Sequence, residues 1–224
     1  MEDSDVIIVH GEGLTEKHES YVYPYLYFSN LAKELGIESQ LVNFSMYEIG
    51  PFMDYLKLFN YIASREKTTQ KLLSSKGIDS ELAFDCCVRS VNKPLFNESE
   101  GYIVGIKGRA KFDGATLNVD SCWDWNEDSV QCNTLEEYLD IISRSKYALS
   151  SSFHGNIFSA LAGVPFIVMD KSNPKFEAIE RELLPEGLSF NLFKPPSRLD
   201  RERIREHYSM LYPLLIDRTK LNVD

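Results

Sequence analysis

The run Ser150-Ser151-Ser152-Phe153-His154-Gly155-Asn156 holds the most chemistry per residue in this chain. A strand-like segment at 147–150 precedes it. An apolar helical stretch, Gly163 and a second apolar run at 166–169 follow. The pattern predicts strand, serine turn, short helix, strand. A histidine where a parallel strand gives way to a helix sits at the edge where open α/β sheets bind ligands. There His154 would exchange protons with a bound ligand. The backbone N–H groups of Gly155 and Asn156 are expected to be unpaired first-turn donors that face an anion. Ser152 would cap the helix or touch the same anion. No Gly-x-Ser-x-Gly elbow is present, which disfavours a nucleophilic serine.

Other polar residues follow predicted strands at their carboxyl ends. His10-Gly11-Glu12-Gly13 follows a strand at 5–9, and Asn43 ends one at 39–43. Ser64-Arg65 ends a strand at 61–64, and Asp85 follows one at 81–84. Chance would scatter such residues over both edges of a sheet. Gly11 and Gly13 would permit a tight turn and close approach of a ligand, with Glu12 projecting into the crevice. This is no dinucleotide fingerprint, because Gly-x-Gly-x-x-Gly fails at Glu16. Arg65 opens a helix, where its charge opposes the dipole. Its guanidinium suits a carboxylate or phosphate, or else an ion pair with a neighbouring acid. Asp85 fits a structural role at its turn. Lys171 and Lys175 follow the last strong strand and would add positive charge for a phosphate, or lie in solvent. Tyr21, Tyr23, Tyr25, Tyr27 and Phe28 read as packing, with a sugar-stacking tyrosine as the other option.

These residues need a scaffold of alternating elements. Helices are predicted at 21–35 (closed by Gly36), 51–59 and 66–75 (ended by Gly77). With the four strands above they indicate a parallel sheet with right-handed crossovers. Residues 89–100 lack periodicity and read as a linker. A strand is expected at 102–106. The stretch 107–133 reads as a loop with one strand at 116–119, or as a hairpin in disguise. Thr134, with Glu137 at the capping-box position, begins a helix to 143 or 144. Helices at 174–184 and 198–215 close the chain. The expectation is an α/β protein of two domains, residues 1–95 and 100–224.

The 224 residues include 24 basic and 34 acidic side chains, a net charge of -10. Such a field disfavours nucleic acid and acidic membranes, so an anionic ligand needs a local basic pocket. No apolar run approaches the length of a membrane span. The acidic start, leading straight into a strand, argues against a secretory signal and for a cytoplasmic protein. Cys86, Cys87, Cys122 and Cys132 have no metal-binding spacing. Cys122 and Cys132 could pair across a loop, but idle thiols in a reducing compartment are favoured.

Taken in order, these motifs resemble the polysaccharide pyruvyl transferase family. The similar segments are Asp5-Val-Ile-Ile-Val-His-Gly-Glu-Gly13, Leu31-Ala-Lys-Glu-Leu-Gly36, Leu41-Val-Asn43, Ile62-Ala-Ser-Arg-Glu66, Leu72-Leu-Ser-Ser-Lys-Gly-Ile78, Phe84-Asp85 and Thr134-Leu-Glu-Glu-Tyr-Leu139. Ser152-Phe-His-Gly155 and Gly163-x-Pro165 complete them, placing the chain in the Ser-Phe-His-Gly branch. Ser152 stands where other members carry arginine, and the family's amino-terminal Asn-x-Gly-Asp unit is expected to be missing. The resemblance implies a compact glycosyltransferase-B-like pair of Rossmann-like parallel-sheet domains facing a cleft. It implies transfer of the enolpyruvyl carbons of phosphoenolpyruvate to two hydroxyls of a sugar or glycan, as a pyruvate ketal. No cofactor or metal is implied. His154 and Glu12 would be catalytic. Arg65, Ser152, Gly155, Asn156, Gly11, Gly13, Asn43, Lys171 and Lys175 would bind substrate. A nucleotide-sugar-dependent glycosyltransferase and a noncatalytic glycan-binding relative are the alternatives.

Overall fold

The computed structural model describes residues 6–11, 13–14, 19–106, 115, 117–121, 129–169, 174–191 and 193–218. They form two compact units that divide between Cys86 and Cys87.

The first unit is built on β1 (Val6–His10), β2 (Gly13–Leu14), β3 (Glu38–Met46), β4 (Tyr61–Ser64) and β5 (Glu81–Leu82). The strand order is β1-β3-β4-β5, with β2 beside the far end of β3, and every pairing is parallel. Parallel neighbours cannot be joined by tight turns, so helices carry the chain back. These are α1 (Glu19–Leu35), the short α2 (Met53–Leu56) and α3 (Lys67–Ser75). Strand β3 lies inside the sheet, and its residues from Ser39 to Met46 are all buried, the continuous pattern of a strand covered on both faces. Edge strand β1 leaves Ile8 43% exposed although its neighbour Val9 is buried. Val9, Leu26, Leu41, Phe44, Met46, Phe52 and Leu73 form the core. Each such side chain contributes about 1.5–3 kcal/mol of burial.

The second unit carries β6 (Ile103–Ile106), β7 (Leu117–Ser121), β8 (Val130–Cys132), β9 (Tyr147–Ser150) and β10 (Phe166–Val168). Their order is β10-β9-β6-β7-β8, again all parallel. Helices α4 (Leu135–Arg144), α5 (Phe153–Leu161), α6 (Pro174–Leu183) and α7 (Arg198–Arg218) complete it. Thr134 caps α4 as expected, its Oγ1 accepting the Glu137 N–H at 3.1 Å. Buried Arg201 on α7 donates to the carbonyls of Ser143, Ser145 and Asn97. The stretch 89–100 is tied to this unit, Leu95 N–H donating to Leu161 C=O and Glu100 N–H to Arg144 C=O.

Two sequence expectations change, and one short element was not foreseen. The helix expected at 51–59 is a 3-10 turn (Gly50–Phe52) followed by the single turn of α2. A 3-10 segment, Cys86–Ser90, follows Asp85. The stretch read as a loop or hairpin holds β7 and β8, which pair in parallel and so form no hairpin. Strand β8 is only three residues with a polar centre, too short for periodicity to reveal.

Candidate active site

In the second unit, β9 ends at Ser150 and α5 begins at Phe153, so His154 stands on the first turn of the helix. Its ring is half-buried and meets the Phe153 ring edge-on at 5.6 Å. A ring nitrogen lies within 4.8 Å of the Cys87 thiol. Ser152 is the helix cap. Its Oγ accepts the Gly155 N–H at 3.2 Å, and its carbonyl accepts the Asn156 N–H at 3.1 Å. Both amides expected to face an anion are therefore engaged within the cap itself. Ser150 Oγ braces the turn, accepting the Ser152 N–H and donating to the Ser152 carbonyl.

Gly155 is glycine because of packing. A Cβ there would lie 2.6 Å from Ile106 Cγ2 and 2.8 Å from Ser150 Oγ, which seats α5 hard against β6 and β9. The Asn156 side chain is fully buried, and neither its Oδ1 nor its Nδ2 has a hydrogen-bond partner among the described residues. An amide buried in this way carries a desolvation cost that no described group offsets.

In the first unit the carboxyl edge is organised around Asn43. The register of β3 on β4 shifts between Val42 and Phe44. Asn43, at φ 55°, sits in the left-handed region that asparagine tolerates better than most residues. The bulge turns its side chain toward the strand end. There Oδ1 accepts the Cys86 N–H at 3.0 Å and Nδ2 meets His10 Nε2 at 2.9 Å. Gly11 donates its N–H to the Val42 carbonyl at 2.8 Å, and a Cβ on Gly11 would lie 2.5 Å from Phe44 Cβ. Close strand packing thus requires Gly11. Gly13 has open space where a Cβ would stand.

Arg65 begins the turn after β4 and is 4% exposed. Its Nε donates to Ser45 Oγ at 2.7 Å, and Nη1 pairs with Asp85 Oδ2 at 2.9 Å. Of the two roles read for Arg65, an ion pair with an acid is present, made with Asp85 and buried. Glu66 is also buried, its Oε1 accepting from Thr69 Oγ1 at 2.8 Å. Burial, with the Glu66 carboxylate beside it, pushes the Tyr47 phenol well above its ordinary range. Glu66 acts on the phenol by charge and by hydrogen bonding, and both raise it, while a hydrogen bond from the Ser45 side chain and the charge of Arg65 oppose the shift.

Site residues from the sequence thus fall on two carboxyl edges. Gly11, Gly13, Asn43 and Arg65 lie on the first, Ser152, His154, Gly155 and Asn156 on the second. Glu12 and Lys171 lie outside the described residues, as does the side chain of Lys175, which stands on α6. Sequence reasoning missed the link between His10 and Cys86, whose Nε2 and Sγ are 3.1 Å apart. The available signal was position, since each follows a strand of the same sheet.

Two Rossmann-like parallel sheets, with polar residues at the carboxyl strand ends, define an α/β protein of the glycosyltransferase-B type. The polysaccharide pyruvyl transferase family model matches residues 3–173, and the chain belongs to this family of transferases. No curated protein matches the sequence. Among solved structures, the chain is similar to a putative UDP-N-acetylglucosamine 2-epimerase from Listeria monocytogenes. The TM-score is 0.55 at 10% identity, over 97% of this chain and 69% of that one. The UDP-GlcNAc 2-epimerase of Methanocaldococcus jannaschii aligns with a TM-score of 0.46 at 11% identity, over 92% of this chain and 77% of that one. Among the described residues, no helix is long and apolar enough to cross a membrane.

Proposed function

We propose that the protein transfers the three-carbon unit of phosphoenolpyruvate to two hydroxyls of a sugar, forming a pyruvate ketal and releasing phosphate. In this reaction C3 of the donor gains a proton and one sugar hydroxyl oxygen bonds to C2. The second hydroxyl oxygen then replaces phosphate at C2. The two hydroxyl protons balance those taken up by C3 and by the departing phosphate. His154 is the proton-exchanging group, its imidazole able to take a proton on one ring nitrogen and give one from the other. The observation that carries this reading is the position of His154 on the first turn after β9, inside the span that matches the family.

The other residues take graded roles. Ser152 fixes the turn that presents His154, and Gly155 lets α5 sit close enough to keep it there. Asn156 acts from beneath the turn. Arg65, sealed by Asp85 and Ser45, is a positioning residue for the first edge, a change from direct donor binding. Gly11, Gly13 and Asn43 stand at the strand ends offered to the acceptor, Glu12 would hydrogen-bond or deprotonate a sugar hydroxyl, and Lys171 and Lys175 would supply charge toward phosphate. Phosphate release from phosphoenolpyruvate, followed across a panel of glycan acceptors, tests the reading. Inactivity on every acceptor, with no donor binding by calorimetry, would overturn it.

A nucleotide-sugar-dependent transferase is the second reading, favoured by the likeness to a putative UDP-N-acetylglucosamine 2-epimerase. Fold fixes no chemistry by itself. A ligand that binds only the native state raises its melting temperature. A shift with a nucleotide-sugar and none with phosphoenolpyruvate would transfer the assignment. Glycan binding unchanged by His154→Ala, with no turnover, would mark a noncatalytic relative.

A further inference from the structure

Three groups of the first unit meet in a triangle, and two of them, His10 and Cys86, have no part in the pyruvyl transfer reading. His10 Nε2 lies 3.1 Å from Cys86 Sγ, Asn43 Nδ2 lies 2.9 Å from the same Nε2, and Asn43 Oδ1 accepts the Cys86 N–H at 3.0 Å. The backbone amide of Cys86 can only donate, which fixes the amide orientation of Asn43. Nδ2 must then face His10, so Nε2 presents its lone pair and the ring proton sits on Nδ1. The Cys86 thiol lies 3.1 Å from the same nitrogen and competes with the Asn43 amide for that one lone pair. The left-handed backbone of Asn43 is held in the bulge of β3, so when Nε2 takes a proton it is the side-chain amide that turns aside. His10 and Cys86 are both exposed, so a reagent can reach the sulfur.

We propose that Cys86 is a reactive thiol, its proton taken by His10, and that it is a site of covalent modification by soft carbon electrophiles. The inference does not rest on the pyruvyl transfer reading. In the step, the sulfur lone pair bonds to the electrophilic carbon and the leaving group departs with its electron pair. The thiol proton passes to His10 Nε2, Asn43 Nδ2 yields that position, and the imidazolium then loses the proton to water. Hydrolytic chemistry of the thiol-protease kind is not proposed. The Cys86 N–H, the natural donor to an oxyanion, is held by Asn43.

Iodoacetamide labelling of the full chain tests this, with the modified peptide read by mass spectrometry. A Cys87→Ser background assigns the label to Cys86. At pH 7 the folded protein should label Cys86 about tenfold faster than the same chain unfolded in urea, as expected for a thiol assisted by imidazole. His10→Gln should remove about that tenfold advantage while the fold, followed by circular dichroism, persists. If that variant fails to fold, the pH–rate profile of the unmodified His10 protein decides. A midpoint well below the free-thiol value of about 8.5 supports the proposal. Labelling no faster than in urea, no response to His10→Gln, or a midpoint at or above the free-thiol value would each overturn it.

Discussion

Arg65 and Asp85 form an ion pair at 2.9 Å in which their side chains are 3% and 1% exposed. Twenty positions separate them in sequence, and each follows a strand of one sheet. Removing one partner strands a charge where water cannot reach it. Arg65→Met or Asp85→Asn is therefore expected to destabilise the first unit by about 3–5 kcal/mol in chemical denaturation. Arg65→Met combined with Asp85→Leu should recover much of that loss. Arg65→Lys should rescue little, because a point charge cannot also reach Ser45 Oγ through a planar fork. Were Arg65 a direct anion ligand, Arg65→Met would abolish donor binding and leave stability nearly unchanged.

Asn156 gives the opposite expectation. Its side chain is fully buried, and both polar atoms are unpaired among the described residues, a burden of about 1–3 kcal/mol for such groups. Asn156→Leu, similar in size and apolar, should hold or raise the melting temperature while lowering turnover. A fall of more than about 5 °C would show that the amide does stabilise the fold.

Acid stability should respond to His207. This residue lines a cavity of about 810 Å³ with Glu180, Arg181, Glu182, Glu186 and Ser189, and burial lowers its pKa from the ordinary value. The unfolded chain then binds the proton at higher pH than the folded one. The histidine's contribution is intact above its ordinary pKa of about 6.5, and is lost as pH falls from there through the folded value. His207→Gln should flatten the stability–pH slope in that interval, measured by urea denaturation at closely spaced pH values. An unchanged slope would assign the acid sensitivity to the carboxylates.

Much of the scaffold was legible from residues such as Val9, Leu41 and Leu149, whose apolar runs repeat at strand length between helical segments. The cap on α4 was legible because Thr134 and Glu137 stand at fixed spacing. The histidine turn was legible for the same local reason, with Ser152 and Gly155 bracketing His154. What stayed hidden was non-local. No spacing rule joins Arg65 to Asp85, or His10 to Cys86, because a parallel sheet brings strand ends together through crossovers of any length. Nor does the sequence reveal that Gly11 and Gly155 serve close packing, since the same residue type would also admit a phosphate. The short β8, with Gln131 at its centre, offered no periodicity to read.

The central claim, proton exchange at His154 in pyruvyl transfer, is tested most directly by comparing the wild-type chain with His154→Gln on phosphoenolpyruvate and an accepting glycan. Phosphate release and the mass gain of the glycan would be followed together. The wild type is expected to release phosphate in step with a pyruvate ketal appearing on the sugar. His154→Gln should lose about 10²–10⁴-fold in rate, the range of general acid–base catalysis, while its melting temperature stays within a few degrees. Equal rates in the two proteins, or phosphate release with no ketal on any glycan, would contradict the account.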